Sequence, residues 1–175
     1  MLDKIRNKEA EKQDEQPPSG VYKIVCIILI ILILLVMAAY FIFHPRLIIG
    51  PSMEPTYHNL QIVSTDVSFT RDDITYNTIV FFKSPEDSRT LVKRVVGLPG
   101  DTVEVKKDGA YVNGVKFDDR KTEKTAPAVV LGPDEYYCLG DNRDNSKDSR
   151  DFGAVKYKKI KCIKRGGNGY GNTEL

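Results

Sequence analysis

A serine with prolines nearby is the first candidate for nucleophilic chemistry: Ser52 in the segment GPSMEPT, residues 50–56. Proline fixes one backbone dihedral angle, so the two prolines can hold this hydroxyl rigidly at a turn. A serine hydroxyl attacks a carbonyl group only when a base accepts its proton. Without such a base the segment is an ordinary turn, and that interpretation stays open at this point.

A candidate base lies in the segment TLVKRVVGLPGD, residues 90–101. In an extended strand Leu91, Lys93 and Val95 share one face and Arg94 lies on the other, so a basic side chain projects from an apolar face. Burial favours the neutral amine, which could accept a proton from Ser52. The alternative is a surface strand whose Lys and Arg stems cover apolar area while their charges stay in water.

The segment LGDNRDNSKDSRDFG, residues 139–153, mixes acidic and basic side chains at high density. Such a density predicts an ion-pair network that fixes an irregular loop and positions the hydroxyls of Ser146 and Ser149. A calcium loop is disfavoured, because Ser149 and Val155 stand where an EF-hand needs glycine and glutamate. A merely solvated charged loop is the remaining alternative.

An uncharged apolar run, IVCIILIILILLVMAAYFIF, extends from residue 24 to residue 43. At about 1.5 Å per residue, a helix of this length crosses the hydrocarbon core of a bilayer. The run is longer than the core of a cleavable signal peptide, and no small-x-small site follows it. Basic residues at positions 4, 6, 8, 12 and 23 precede it, whereas Arg46 is the first after it. This asymmetry predicts an anchor whose N-terminus is cytoplasmic.

Short apolar runs separated by turn residues follow the anchor. They are rich in β-branched and aromatic residues, and Asp108-Gly109 and Asn113-Gly114 are typical hairpin turns. We therefore predict a mainly β, antiparallel domain. The predicted organisation is a flexible cytoplasmic tail at 1–20, a transmembrane helix at 21–43, an extracytoplasmic β-rich domain at 44–165 and a flexible tail at 166–175.

Composition argues against several other classes. The chain has 26 Lys and Arg against 24 Asp and Glu, dispersed among one another, so nucleic acid is not an expected partner. With two histidines and no CxxC spacing, a zinc site has few candidate ligands. Cys138 and Cys162 form either a disulfide or two buried thiols, and the sequence leaves both open.

Taken in order, one anchor, GPSMEPT, LVKRVVGLPGD and GDNRDNSKDSRDFG resemble the type I signal peptidases, especially the single-span form typical of Gram-positive bacteria. The resemblance extends from the anchor to about Arg165. It implies a β-rich catalytic domain held at the plasma membrane and working without a metal or organic cofactor. The implied activity is a serine endopeptidase that removes signal peptides from exported preproteins, so signal peptides and the lipid bilayer are the expected partners.

The resemblance also assigns roles to individual residues. Ser52 matches the nucleophile, Lys93 the general base, and Ser146 a hydroxyl that hydrogen-bonds and orients the lysine. Asp148 and Arg150 match a supporting ion pair. Asp141 and Arg143 match further structural members of the same loop.

Strands around residues 47–50 and 90–93 are expected to flank an extended substrate by strand addition. Ile48, Ile49, Gly50 and Leu91 are the expected substrate-binding residues, with small substrate side chains preferred just before the cut and two residues earlier. Gly50 stands where many relatives have a serine that helps to bind the oxyanion. The Ser52 amide therefore lacks that second donor here.

Two rival interpretations remain. His58 lies close to Ser52 in sequence and could belong to a Ser-His-Asp triad, while His44 is expected at the membrane boundary. Alternatively the chain is a non-catalytic or narrow-client module that tethers a peptide-binding domain to the membrane.

Overall fold

The computed structural model describes residues 19–87 and 89–164. They fall into two compact units, and the boundary lies between Ile42 and Phe43. Helix α1, Ser19–Phe43, belongs to the first unit except for its last residue, and it is long and apolar enough to cross a membrane. Its large apolar side chains are exposed, as a lipid-facing helix requires. The helix begins two residues before the predicted start at residue 21, and the rest of the two predicted tails lies outside the described residues.

The second unit confirms the predicted mainly β domain, and all its strand pairs are antiparallel. The strands are β1 Pro45–Leu47, β2 Ile62–Ser64, β3 Ile79–Lys83, β4 Thr90–Gly97, β5 Thr102–Lys106, β6 Gly109–Val112, β7 Val115–Lys116, β8 Ala126–Val130, β9 Glu135–Leu139, β10 Val155–Lys156 and β11 Ile160–Lys164. A short helix, α2, covers Ser149–Phe152, and 3-10 turns cover Arg143–Asn145 and Tyr157–Lys159.

The strands form a five-stranded sheet with the order β10-β9-β4-β3-β11, a four-stranded sheet with the order β7-β6-β5-β8, and the pair β1-β2. Side chains of the interior strand β3 alternate between two cores. Val80 and Phe82 pack in one apolar cluster, while Ile79 and Phe81 pack in another. The five-stranded sheet is therefore covered on both faces, and β4 runs through its middle.

The hairpins of the four-stranded sheet follow from their turn residues. Asn113 and Gly114 join β6 to β7 with φ of 52° and 83°, the left-handed conformation that a tight type I′ turn requires. The earlier turn is shifted by one residue from its predicted place. Lys106 pairs with Gly109, so Lys107 and Asp108 form the turn and Gly109 opens β6.

Cys138 and Cys162 do not form the disulfide that the sequence left open, and both are buried free thiols. They lie on β9 and β11, with β4 and β3 between them. At about 4.8 Å per strand their Cα atoms are roughly 14 Å apart, twice the distance that a disulfide tolerates.

The sequence pattern did not predict β2, β8, β10 or β11. β8 has the sequence APAVV and lies at an edge of the four-stranded sheet, mostly exposed. β11 has the sequence IKCIK, in which adjacent Cys162 and Ile163 are both buried because they face the two cores on opposite sides of the sheet. The register shift between Ile160 and Cys162 also places these two residues on opposite faces. An irregular strand of this kind lacks the clean alternation by which strands are recognised.

Candidate active site

Ser52 lies on a tight turn between β1 and β2. The turn is closed by the amide of Glu54, which donates to the carbonyl of Pro51 at 3.1 Å. The next side chain, Met53, is completely buried and fixes the turn to the domain. Gly50 precedes it with φ of +98°, a conformation that costs a side-chain-bearing residue free energy, and its amide donates to Asn59 Oδ1 at 2.8 Å.

Lys93 approaches this serine from the middle of β4. Its Nζ donates to Ser52 Oγ at 2.8 Å and to the carbonyl of Val92 at 2.9 Å. Only 2% of the lysine is exposed, although Ser52 itself is partly accessible. The fold therefore brings the Lys93 amine and the Ser52 hydroxyl, which are far apart in sequence, into contact at the edge of the protein interior.

Burial lowers the pKa of Lys93 from its ordinary 10.5 to about 8. The carboxylate of Asp148 is the largest of the opposing influences, since its negative charge favours the ammonium. With a pKa near 8, about one lysine in ten is neutral at pH 7, against about one in three thousand at 10.5. A usable fraction of the protein thus carries a free amine against a serine hydroxyl.

Asp148 is the centre of the loop that supports the lysine. Its Oδ1 accepts from Arg150 Nε at 2.8 Å, and its Oδ2 accepts from Arg150 Nη2 at 2.8 Å and from the Gly140 amide at 3.0 Å. Neither side chain of this ion pair is exposed. Asp148 also caps α2, with Asp151 accepting from the Asp148 amide in return. The sequence predicted this pair, and the structure contains it.

Asp141 and Arg143 pair with residues outside the charged segment. Asp141 accepts from Arg94 Nε at 2.8 Å and Nη2 at 2.6 Å, while Arg143 contacts Asp118. Burial alone would raise the pKa of Asp141, but hydrogen bonds and charge from Arg94, with the charge of Arg120, lower it overall. The network therefore ties the loop to β4 and to the segment after β7, whereas the sequence had suggested pairs within the loop.

The two serines of the loop have different surroundings. Ser149 Oγ accepts from the Cys138 amide at 2.9 Å, so this hydroxyl holds α2 against β9. Ser146 Oγ is buried and has no hydrogen-bond partner among the described residues. The predicted hydrogen bond between Ser146 and Lys93 is therefore not present in this structure.

A cleft of about 350 Å³ opens beside the Ser52–Lys93 contact. The residues lining it come from β1, the turn after it, β3 and β4: Pro45, Arg46, Leu47, Ile49, Ser52, Phe81, Thr90, Leu91, Val92 and Lys93. Ile49 and Leu91 were predicted to bind substrate and lie in this lining. Ile48 and Gly50 do not, and Ile48 is buried with its amide and carbonyl bonded to Gln61 and Leu60. The predicted strand around residues 47–50 ends at Leu47.

Comparison with known proteins assigns this arrangement to a family. Residues 21–165 match the family described as signal peptidase, peptidase S26. The chain belongs to this family. It is 38% identical over 126 residues to Signal peptidase I P of Bacillus subtilis subsp. natto, covering 63% of this chain and 68% of that protein. It is 32% identical over 171 residues to Signal peptidase I of Bacillus licheniformis, covering 86% of this chain and 89% of that protein.

A crystal structure of a signal peptidase I from Enterococcus faecalis V583 is also similar, with 29% identity and a TM-score of 0.44. The similar region covers 51% of this chain and 94% of that one. The sequence relatives and the family match make this chain a peptidase of the S26 family, as its motifs predicted.

One residue of this peptidase contacts the turn of Ser52 without having been predicted from the sequence: Asn142. The amide of Asn142 donates to the carbonyl of Ser52 at 3.1 Å, and its Nδ2 donates to the carbonyl of Pro51 at 3.2 Å. These bonds hold the two carbonyls that flank Ser52. The only signal in the sequence was the position of Asn142 in the charged segment. Neighbouring residues do not indicate which distant carbonyl groups an asparagine will contact.

The histidines of the peptidase do not contact Ser52. His58 is exposed, and its amide and carbonyl bond to the side chain and amide of Gln61. The carbonyl of His44 accepts from Thr65 Oγ1 at 2.8 Å. Neither imidazole makes a hydrogen bond with the serine, whereas the amine of Lys93 does.

Proposed function

We propose that this peptidase removes N-terminal signal peptides from exported preproteins, with Ser52 as the nucleophile and Lys93 as the general base. The observation that carries the proposal is the 2.8 Å contact between Lys93 Nζ and Ser52 Oγ, made by a lysine that is 2% exposed. An ammonium in water could not act as a base, whereas a desolvated amine can.

The first step transfers the proton of Ser52 Oγ to the neutral Nζ while Oγ attacks the scissile carbonyl. The oxyanion that forms accepts a hydrogen bond from the Ser52 amide. The ammonium then gives its proton to the leaving amine, and the C–N bond breaks to leave an acyl-enzyme on Ser52. Water, deprotonated by the same amine, hydrolyses the ester and restores the serine.

Asn142 supports this step by fixing the peptide plane between Pro51 and Ser52. In a planar trans peptide the carbonyl and the following amide point in opposite directions. Because Asn142 Nδ2 holds the carbonyl of Pro51, the amide of Ser52 keeps its direction toward the oxyanion position. We assign Ser146 the predicted role of a hydroxyl that turns toward Lys93 when the amine needs a partner.

The backbone edge of β4 supports substrate binding by strand addition. Residues Thr90–Lys93 pair with β3 on one side, and the pairing of β4 with β9 begins only at Arg94. The other edge of Thr90–Lys93 is therefore open among the described residues, and it borders the cleft. An extended peptide can pair there and present its carbonyl to Ser52.

The substrate class follows from the family and the anchor. Several relatives carry the name Signal peptidase I. Helix α1 and the basic residues before it fit a single span of the plasma membrane with a cytoplasmic N-terminus and an extracytoplasmic domain. Signal peptides of exported preproteins, which enter the same membrane, are therefore the proposed substrates.

A cleavage assay tests this function directly. Full-length protein in neutral detergent should cleave a preprotein after a small-x-small site, and Ser52→Ala and Lys93→Ala should each reduce kcat by at least about 10³-fold. Lys83→Ala is the matched control, since this exposed lysine on the neighbouring strand β3 does not line the cleft. Peptide binding without cleavage by the wild type would support the non-catalytic alternative.

The pH dependence tests the base. The active form is the deprotonated amine, so kcat/KM should rise with pH through an apparent pKa of about 8 and then level off. A rise of kcat/KM that disappears in His58→Ala and persists in Lys93→Ala would instead identify a histidine base. The Lys83→Ala protein should retain the wild-type profile.

A further inference from the structure

The cleft beside Ser52 carries positive charge and no negative charge on its walls. Among its lining residues Lys93 and Arg46 are basic, and no aspartate or glutamate is present. Lys93 is partly neutral near pH 7 because burial lowers its pKa to about 8. Arg46 is therefore the one permanent charge on these walls.

Arg46 differs from the arginines that hold the active-site loop. Arg94 and Arg150 are buried, and each pairs with a carboxylate. Arg46 is exposed on β1 and makes no ion pair or side-chain hydrogen bond with any residue between 19 and 87 or between 89 and 164. Its five N–H donors are available to a ligand in the cleft.

The sequence distance between Arg46 and Ser52 indicates which substrate residue Arg46 would contact. β1 begins two residues after helix α1 ends, so Arg46 and its neighbour Pro45 form the part of the cleft lining closest in sequence to the membrane anchor. Arg46 precedes Ser52 by six residues. A substrate that runs alongside this segment residue for residue would place next to Arg46 the residue roughly five or six positions before the cut.

We infer that Arg46 forms a distal subsite that favours a substrate carboxylate roughly five or six residues before the scissile bond and disfavours a lysine there. This inference rests on the proposed function and adds a preference among signal peptides to it. A guanidinium pairs with a carboxylate through two parallel hydrogen bonds. A substrate lysine carries the same positive charge as Arg46 and offers no acceptor for these bonds. Exposed pairs change an equilibrium by about two- to fivefold, so acidic and basic substrates should differ by up to about tenfold.

The test compares otherwise identical preproteins that carry Glu, Gln or Lys at the fifth, sixth or seventh residue before the cut. The full-length enzyme is assayed in neutral detergent, so that no lipid charge contributes. At one of these positions the wild type should have its highest kcat/KM for the Glu substrate, a lower value for Gln and the lowest for Lys. Arg46→Gln should remove the order and Arg46→Glu should reverse it. Raising the ionic strength should bring the wild-type ratios toward one.

Lys161→Glu is the matched control, because it makes the same charge reversal at an exposed position on β11 that does not line the cleft. It should keep the wild-type order. Binding of the same peptides to the Ser52→Ala protein, with and without Arg46→Glu, provides a readout that does not depend on turnover. The two measurements should show the same reversal.

The subsite would be overturned if the kcat/KM ratios between the Glu, Gln and Lys substrates were the same for the wild type and for Arg46→Glu. The proposed function would stay intact, provided that the Gln substrate is cleaved normally. The subsite would also fall if Arg46→Gln changed only binding to vesicles of anionic phospholipid and left the ratios as they were, since Arg46 would then serve headgroup phosphates. Failure of the wild type to cleave any of these preproteins would overturn the proposed function, and the subsite with it.

Discussion

The active-site loop and the four-stranded sheet use the same charged residue types with opposite consequences. In the loop Asp148 and Arg150 are each 0% exposed at the side chain, whereas in the sheet region Lys107 and Glu123 are 73% and 82% exposed. A buried charge that loses its partner stays desolvated, while an exposed one is rehydrated by water. The loop pairs therefore determine the geometry of the site, and the sheet pairs add little.

The same contrast separates two lysines. Burial lowers the pKa of Lys93, whereas a hydrogen bond to Glu123 raises the pKa of exposed Lys107. Both side chains contact an oxygen atom at a short distance. The two pKa values move in opposite directions because Lys93 is desolvated beside a hydroxyl, whereas Lys107 is exposed beside a carboxylate.

The largest expected effect is on stability, from breaking the buried pair. Arg150→Ala leaves Asp148 buried without its cation and removes bonds to Thr122 and to the carbonyls of Lys124 and Arg143. We expect the free energy of unfolding to fall by about 3–5 kcal/mol, measured by urea denaturation of the full chain in neutral detergent. A change no larger than that of Lys107→Ala would contradict the difference between the two regions.

A methyl group at Gly140 should mainly affect catalysis. Its Cβ would overlap the side chain of Ser146 and lie 2.7 Å from the carbonyl oxygen of Ser52, which belongs to the backbone and cannot rotate away. We expect Gly140→Ala to lower kcat by about 10²-fold, because the Ser52–Lys93 contact must shift.

Gly132→Ala is the matched control for this substitution. Its Cβ would meet the end of the Glu135 side chain at 3.2 Å, and that flexible group can move. Activity should stay close to that of the wild type. Equal losses at Gly132 and Gly140 would show that the effect is general destabilisation.

Removing the side chain of Asn142 should have an intermediate effect. Asn142→Ala loses the 3.2 Å bond to the Pro51 carbonyl and keeps the backbone bond to Ser52. We expect kcat to fall about tenfold with KM and the pH profile unchanged, since the oxyanion donor loosens while Lys93 is untouched. A shift of the ascending limb would instead show that Asn142 acts through the lysine.

The smallest expected effect belongs to the exposed pair of the four-stranded sheet. Lys107→Ala and Glu123→Ala should each leave the urea midpoint and the cleavage rate unchanged within error, because water replaces the lost partner. A clear loss in either variant would show that this region is coupled to the active-site loop.

Much of the fold could be predicted from local patterns. The apolar run specified α1, and Asn113-Gly114 specified a hairpin turn, because hydropathy and backbone preference are properties of neighbouring residues. β11 could not be recognised, since its register shift disrupts the alternation and its pairing with β3 depends on residues far away in sequence.

For the site, residue types and spacing were enough to name the residues that could react and their order: Ser52 on a proline-bounded turn, Lys93 on an apolar strand and a charged loop after them. Three contacts became known only from the folded molecule: Lys93 is buried against Ser52, Asp118 and Arg94 are the partners of the loop, and Asn142 holds the turn. Residue identity sets the available chemistry, but desolvation and ion pairing depend on groups that folding brings together from distant parts of the chain.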